Sequence, residues 1–232
     1  MINKFLFFGV VTLVLNSSCS NKTTQFIKDK SSINVEEKST TANSTQISPI
    51  LVGNNVWFKN PTNQIWDLTA QSGVCSIRIG GHAYDVEMPS KAELLDWVKR
   101  IQAMGAEPIM QVSQYDSPTA AADLVKYFNV DLASGKAIKY WNIGNEPWLQ
   151  NGKPDLTTVG AMVEAYFKPC SEAMKSVDPT IKIYGPDECY YMDEAMNDLF
   201  GGKNDISGKI PGENYYYCDG ITWHRYPQDT NI

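Results

Sequence analysis

Two histidines and five cysteines are all the imidazole and thiol that this 232-residue chain contains. No two cysteines stand in a Cys-x-x-Cys spacing, which excludes zinc-ribbon and thioredoxin-like readings, since both need paired thiols at short range. Also missing are a Gly-x-Ser-x-Gly elbow, a Walker-type phosphate loop and a dinucleotide fingerprint, so nothing points to a serine nucleophile or a bound nucleotide. Basic residues are in the minority, 20 against 26 acidic, for a net charge of -6 and a pI near 5.0. A nucleic-acid partner asks for a basic face and is not expected. No metal ion or organic cofactor is implied. What is present is an ordinary globular composition, 43% hydrophobic and 20% charged, with length enough for one sizeable core.

The first residues read as a targeting segment. Lys4 precedes an apolar run from Phe5 to Leu15, too short for the roughly 20 residues that cross a bilayer. Asn16-Ser17-Ser18-Cys19 follows, completing over residues 1–19 the basic, apolar and small-residue order of a secretory signal. A cysteine placed directly after small residues resembles the bacterial lipobox. That resemblance implies lipidation of Cys19, a membrane anchor and an exported protein at the cell envelope or outer surface. The usual aliphatic residue three places before the cysteine is missing, Asn16 standing there and Leu15 one place too early, so a cleaved signal and secretion is the alternative. Residues 20–48 are rich in Ser, Thr, Asn and Lys, bury little, and read as a flexible polar tether. The folded domain is expected over 49–232. Apart from Cys19, the cysteines Cys75, Cys170, Cys189 and Cys218 are expected to be free buried thiols. The strand register below sets Cys189 and Cys218 about 20 Å apart at ~3.3 Å per residue, beyond disulfide reach.

From residue 49 onward strand and helix patterns alternate, which predicts a parallel sheet with crossover helices. Strands are predicted at Pro49–Val56, Val74–Gly80, Glu107–Ser113, Ala137–Glu146, Ile181–Asp187 and Asp219–His224. Several are nearly continuous apolar runs, as strands covered on both faces should be. Ser90 and Glu93 form a capping box ahead of Leu94, Trp97, Val98, Ile101 and Met104 at helical spacing. Ser117-Pro118 opens a second helix, and Thr157–Val177 a third, kinked at Pro169. This makes about six βα units where a closed eight-stranded barrel typically takes ~250 residues. The count predicts an α/β chain holding an incomplete (β/α)8 barrel.

The sharpest chemical feature is Trp141-Asn142-Ile143-Gly144-Asn145-Glu146-Pro147-Trp148. Residues 139–144 are β-prone with apolar side chains at alternate positions, and Pro147 can neither donate to a ladder nor allow helix just before it. The strand should therefore end at Glu146, fixing a carboxyl at the C-terminal rim, where parallel barrels keep their chemistry. Aromatic neighbours there can raise its pKa and suit it to proton delivery.

An Asn-Glu-Pro ending the fourth strand resembles the clan A glycoside hydrolases, (β/α)8 barrels that cleave glycosidic bonds with retention. The resemblance covers residues 49 to 227 and implies Glu146 as general acid/base and Asn145 as partner to the sugar 2-hydroxyl. In Cys75-Ser76-Ile77-Arg78-Ile79-Gly80-Gly81 alternation turns Ile77 and Ile79 outward and Arg78 inward. The family has an arginine here that hydrogen-bonds the nucleophile, although an ion pair with some other acid would also place it. His224-x-Tyr226, at the sixth strand's end, matches a family His-x-Tyr that contacts sugar and nucleophile. His82 either lines the substrate cleft or caps a loop. Trp148 either stacks on a sugar face or packs in the core. Asp187 and Glu188 read as solvated loop acids at the right rim.

Retention needs a second carboxylate ~5.5 Å from the first, in this clan a glutamate ending strand seven. No seventh strand is evident, Glu213 lies on the wrong rim, and Glu188 would break the family pattern. The expectation is thus a retaining glycoside hydrolase acting on a poly- or oligosaccharide, present as a portion that lacks its nucleophile and is inactive as it stands. The alternative is a glycan-binding surface lipoprotein with a degenerate barrel. Neutral glycans make no demand on net charge.

Overall fold

The computed structural model describes residues 48–57, 60–132 and 137–225. The signal segment with Cys19, nearly all of the tether, and Tyr226 lie outside them. Six strands, β1 (Gly53–Val56), β2 (Ser76–Ile79), β3 (Glu107–Val112), β4 (Tyr140–Ile143), β5 (Lys182–Glu188) and β6 (Gly220–Trp223), form one sheet. Every neighbouring pair is parallel, and the order is β1-β2-β3-β4-β5-β6. That order never reverses. A doubly wound sheet reverses direction and carries helices on both faces. Here every crossover steps the same way, so with right-handed connections the helices gather on one face and the sheet curls around the other. The result is the curled wall of an incomplete (β/α)8 barrel, with six strands among the described residues where a closed barrel has eight.

The helices are α1 (Asn63–Gln71), α2 (His82–Val86), α3 (Lys91–Ala103), α4 (Pro118–Val125), α5 (Pro147–Gln150), α6 (Leu156–Val177) and α7 (Asp193–Leu199). Ser90 and Glu93 make the expected capping box, Ser117 caps α4 with Pro118 at its first turn, and Pro169 lies inside α6. Ile77, Ile79, Met110, Val112, Trp141, Ile143 and Ile183 point away from the barrel interior. They are buried against Leu94, Val98, Ile101, Val125, Phe128, Val163, Phe167 and Met174 of the helical layer. Cys170, Cys189 and Cys218 are free, as expected. Cys75 departs from that expectation and is disulfide-bonded.

At the N-terminal end of the strands, the ammonium of Lys175 on α6 is buried against Asp219 at 2.6 Å, and Lys182 reaches the other carboxylate oxygen at 2.9 Å. Removing Lys175 takes away the buried partner of Asp219 but leaves Lys182 beside it. Lys175→Met is expected to cost about 2 kcal/mol, measured as a lowered urea midpoint at unchanged slope.

Candidate active site

Residues of β1, β2, β3 and β6 and of the bend after β4 line an open cavity of about 1190 Å³. Its wall includes Arg78, His82, Asn145, Glu146 and His224, with Asn55 and Trp57 on one side and Trp223 on the other. Four of the expected site residues, Arg78, Asn145, Glu146 and His224, are linked to one another by side-chain contacts or by sequence. His82, the first residue of α2, lines the cavity from an exposed position.

β4 ends earlier than expected, at Ile143. Gly144 (φ 82°) and Glu146 (φ 48°) both turn into the left-handed region, a conformation glycine adopts freely and glutamate does not. A Cβ on Gly144 would also come within 2.9 Å of the Gln114 Cβ. Gly144→Ala therefore meets strain and collision together and is expected to lose about 2 kcal/mol, read from urea unfolding. The Glu146 amide donates to the Asp187 carbonyl at 2.9 Å, so the main chain of β5 holds the bend.

The Glu146 Oε1 lies 2.7 Å from His224 Nδ1. This hydrogen bond is the chief reason why the Glu146 carboxyl is held below its usual range, against the opposing pull of burial. The direction is opposite to the raised pKa expected from aromatic surroundings: those neighbours are less influential than one well-placed imidazole.

Arg78 Nη2 lies 2.8 Å from Gln111 Oε1, 3.1 Å from Asn145 Oδ1 and 2.8 Å from Asp187 Oδ2. One NH₂ has two hydrogens, and Asp187 Oδ2 receives no aligned hydrogen bond, so the Asp187 contact is one of charge. The acid beside Arg78 is thus Asp187 of β5. The reading of Asp187 and Glu188 as solvated loop acids is corrected: both belong to β5, at 4% and 0% exposure. Desolvation drives the Glu188 carboxyl up to about 7, while its Oε2 accepts from the Trp148 amide at 3.2 Å.

Trp148 is not brought to the cavity. It is half-buried on α5, donates from Nε1 to the Pro154 carbonyl at 2.9 Å and meets Tyr190 edge-on at 5.6 Å, which is the packing alternative. Glu213 is exposed in a turn. Trp57 and the pair Gln111 and Gln114 were not anticipated. The inward parity of Gln111 on β3, matching Arg78 on β2, is the signal that could have found it.

No protein-family model matches the chain, and no curated protein matches it. Among solved structures, a monomeric β-xylosidase from Caulobacter crescentus CB15 aligns at TM-score 0.52 and 11% identity, over 75% of this chain and 41% of its own. A GH39 β-xylosidase from Caulobacter crescentus gives 0.51 and 12%, over 75% and 46%. The GH51 arabinofuranosidase from Xanthomonas axonopodis pv. citri gives 0.50 and 13%, over 77% and 45%. The fold is the parallel (β/α)8 barrel that these glycoside hydrolases share. The chain spans less than half the length of each of these barrel enzymes. At such identities the likeness concerns the barrel's architecture, and what this barrel does rests on its own side chains.

Proposed function

We propose that the protein is a glycoside hydrolase of the retaining kind, acting on O-glycosidic bonds of an oligo- or polysaccharide. The observation that carries this is the Glu146–His224 pair at 2.7 Å, set in an open groove beside Asn145 and Arg78. Glu146 would protonate the leaving oxygen as a second carboxylate, absent from the cavity wall among the described residues, takes the glycosyl group. Glu146 would then activate the water that releases it, while Asn145 would hold the sugar hydroxyl next to the reacting carbon. Substrate entry between Glu146 and His224 would release the hydrogen bond that keeps the carboxyl ionised.

A second reading, glycan binding without cleavage, is favoured by one observation. Among the described residues Glu146 is the sole carboxylate in the cavity wall, and retention needs a second ~5.5 Å away.

A panel of aryl and unactivated glycosides, with NMR of the product anomer and sugar-binding calorimetry, separates the two. Turnover with retention that Arg78→Met abolishes, in protein that still unfolds cooperatively, supports the hydrolase. Saturable binding without turnover supports the second reading, and neither binding nor turnover removes both.

A further inference from the structure

Behind the groove runs a chain of buried polar side chains that the proposed chemistry does not use. Asp85 of α2 is buried. Its Oδ1 accepts from Gln111 Nε2 at 2.9 Å and from the Gln114 backbone N at 3.2 Å, and its Oδ2 from Gln114 Nε2 at 2.7 Å. An ionised carboxylate can only accept, so both glutamines must turn their NH₂ groups towards it. Their oxygens then face away. Gln111 Oε1 accepts from Arg78 at 2.8 Å and from the Gly81 amide at 2.7 Å. Gln114 Oε1 accepts from Asn151 at 2.9 Å, while Gln114 Nε2 also reaches the Asn145 carbonyl at 3.1 Å.

We propose that Asp85 is a positioning residue, an acceptor-only hub that sets the orientation of Gln111 and Gln114 and through them aims Arg78 and Asn145 into the groove. The proposal rests on the glycosidase reading only for what the groove is used for. The lock itself is a matter of donors and acceptors. With the hub ionised, turning Gln111 over would point its NH₂ at the Arg78 guanidinium, donor against donor. Turning Gln114 over would set its oxygen against the Asn145 carbonyl, acceptor against acceptor.

Asp85→Asn changes this logic at nearly constant shape. The Gln114 backbone N–H cannot turn, so the introduced amide must keep its oxygen opposite it. Its nitrogen then falls in the Oδ2 place, against Gln114 Nε2, and Gln114 has to turn. Gln114→Met removes the same hydrogen bond to Asn145 and keeps the Asp85 carboxyl, at the loss of one of its donors.

The test is a ¹³C NMR titration of the Glu146 carboxyl in the 232-residue protein and both variants, with urea unfolding alongside. Both variants are expected to raise the Glu146 midpoint by ~0.5 pH unit or more, because Asn145, no longer held by Gln114, lets its neighbour Glu146 drift from His224 and Arg78, which then stabilise its charge less well. Loss of the Asp85 negative charge alone would move the midpoint down in Asp85→Asn and leave Gln114→Met unchanged. Either of those results in folded protein overturns the proposal. If Asp85→Asn does not fold, Gln114→Met decides alone, by the presence or absence of the rise. The titration needs no substrate, so its outcome stands even if no glycoside is turned over, and the two readings fail separately.

Discussion

In a form of the protein that carries the second carboxylate, Glu146→Gln is expected to cut turnover of an unactivated glycoside by ~100-fold or more, since a positioned general acid contributes roughly 10²–10⁴. An aryl glycoside whose leaving group departs without a proton should lose less in the first step. The comparison of kcat between two such substrates, across pH, is the measurement. The pH dependence follows from the His224 contact. Because that hydrogen bond lowers the Glu146 pKa in the folded protein, its contribution to stability is present above the ordinary carboxylate range. It is lost as pH falls through the depressed value. Wild-type rates on the unactivated substrate would remove Glu146 from the role.

Glu188→Gln should make the protein more stable at pH 8 and leave it nearly unchanged at pH 4. The Glu188 carboxyl is fully buried, one of its oxygens has no hydrogen-bond partner, and desolvation lifts it to about 7. Between the ordinary glutamate range and about 7 the folded state holds a proton that the unfolded state has released. Stability therefore falls as pH rises through that window and levels off above it. The full ionisation cost is on the order of 3 kcal/mol, and an amide does not incur it. The amide oxygen can still accept from the Trp148 backbone. Urea unfolding at pH 4, 6 and 8 checks this. Equal differences between variant and wild type at all three values would mean that Glu188 does not titrate in the folded protein.

The barrel was legible because its strands are apolar runs broken by helical periodicity, and six parallel units follow from that alternation. Glu146 was legible from the proline that follows it and Arg78 from strand parity, while Asn145 and His224 were picked out by the resemblance of their motifs. The length of β4 was misread. Apolar alternation continues past Ile143, but the positive φ at Gly144 is a backbone choice that a pattern of side chains does not display. Asp187 and Glu188 were misread for a related reason. Acids in a Gly-Pro context suggest a solvated turn, and only the neighbouring β4 and β6 show that this turn is covered. The Asp85 network escaped because its members are far apart in sequence and each, alone, is an ordinary polar residue.

The left-handed bend at Glu146 separates two properties that are often assumed to fall together. A glutamate at φ 48° sits in a conformation that glycine or asparagine would take with less strain, while the hydrogen bond that fixes the bend comes from the backbone. On the proposed reading, a change that silences Glu146 need not damage the fold: the relief of backbone strain offsets part of the lost His224 contact. A screen that scores only soluble yield would then rank a silenced protein close to the parent. Abundance is therefore a poor guide to which changes at this rim matter.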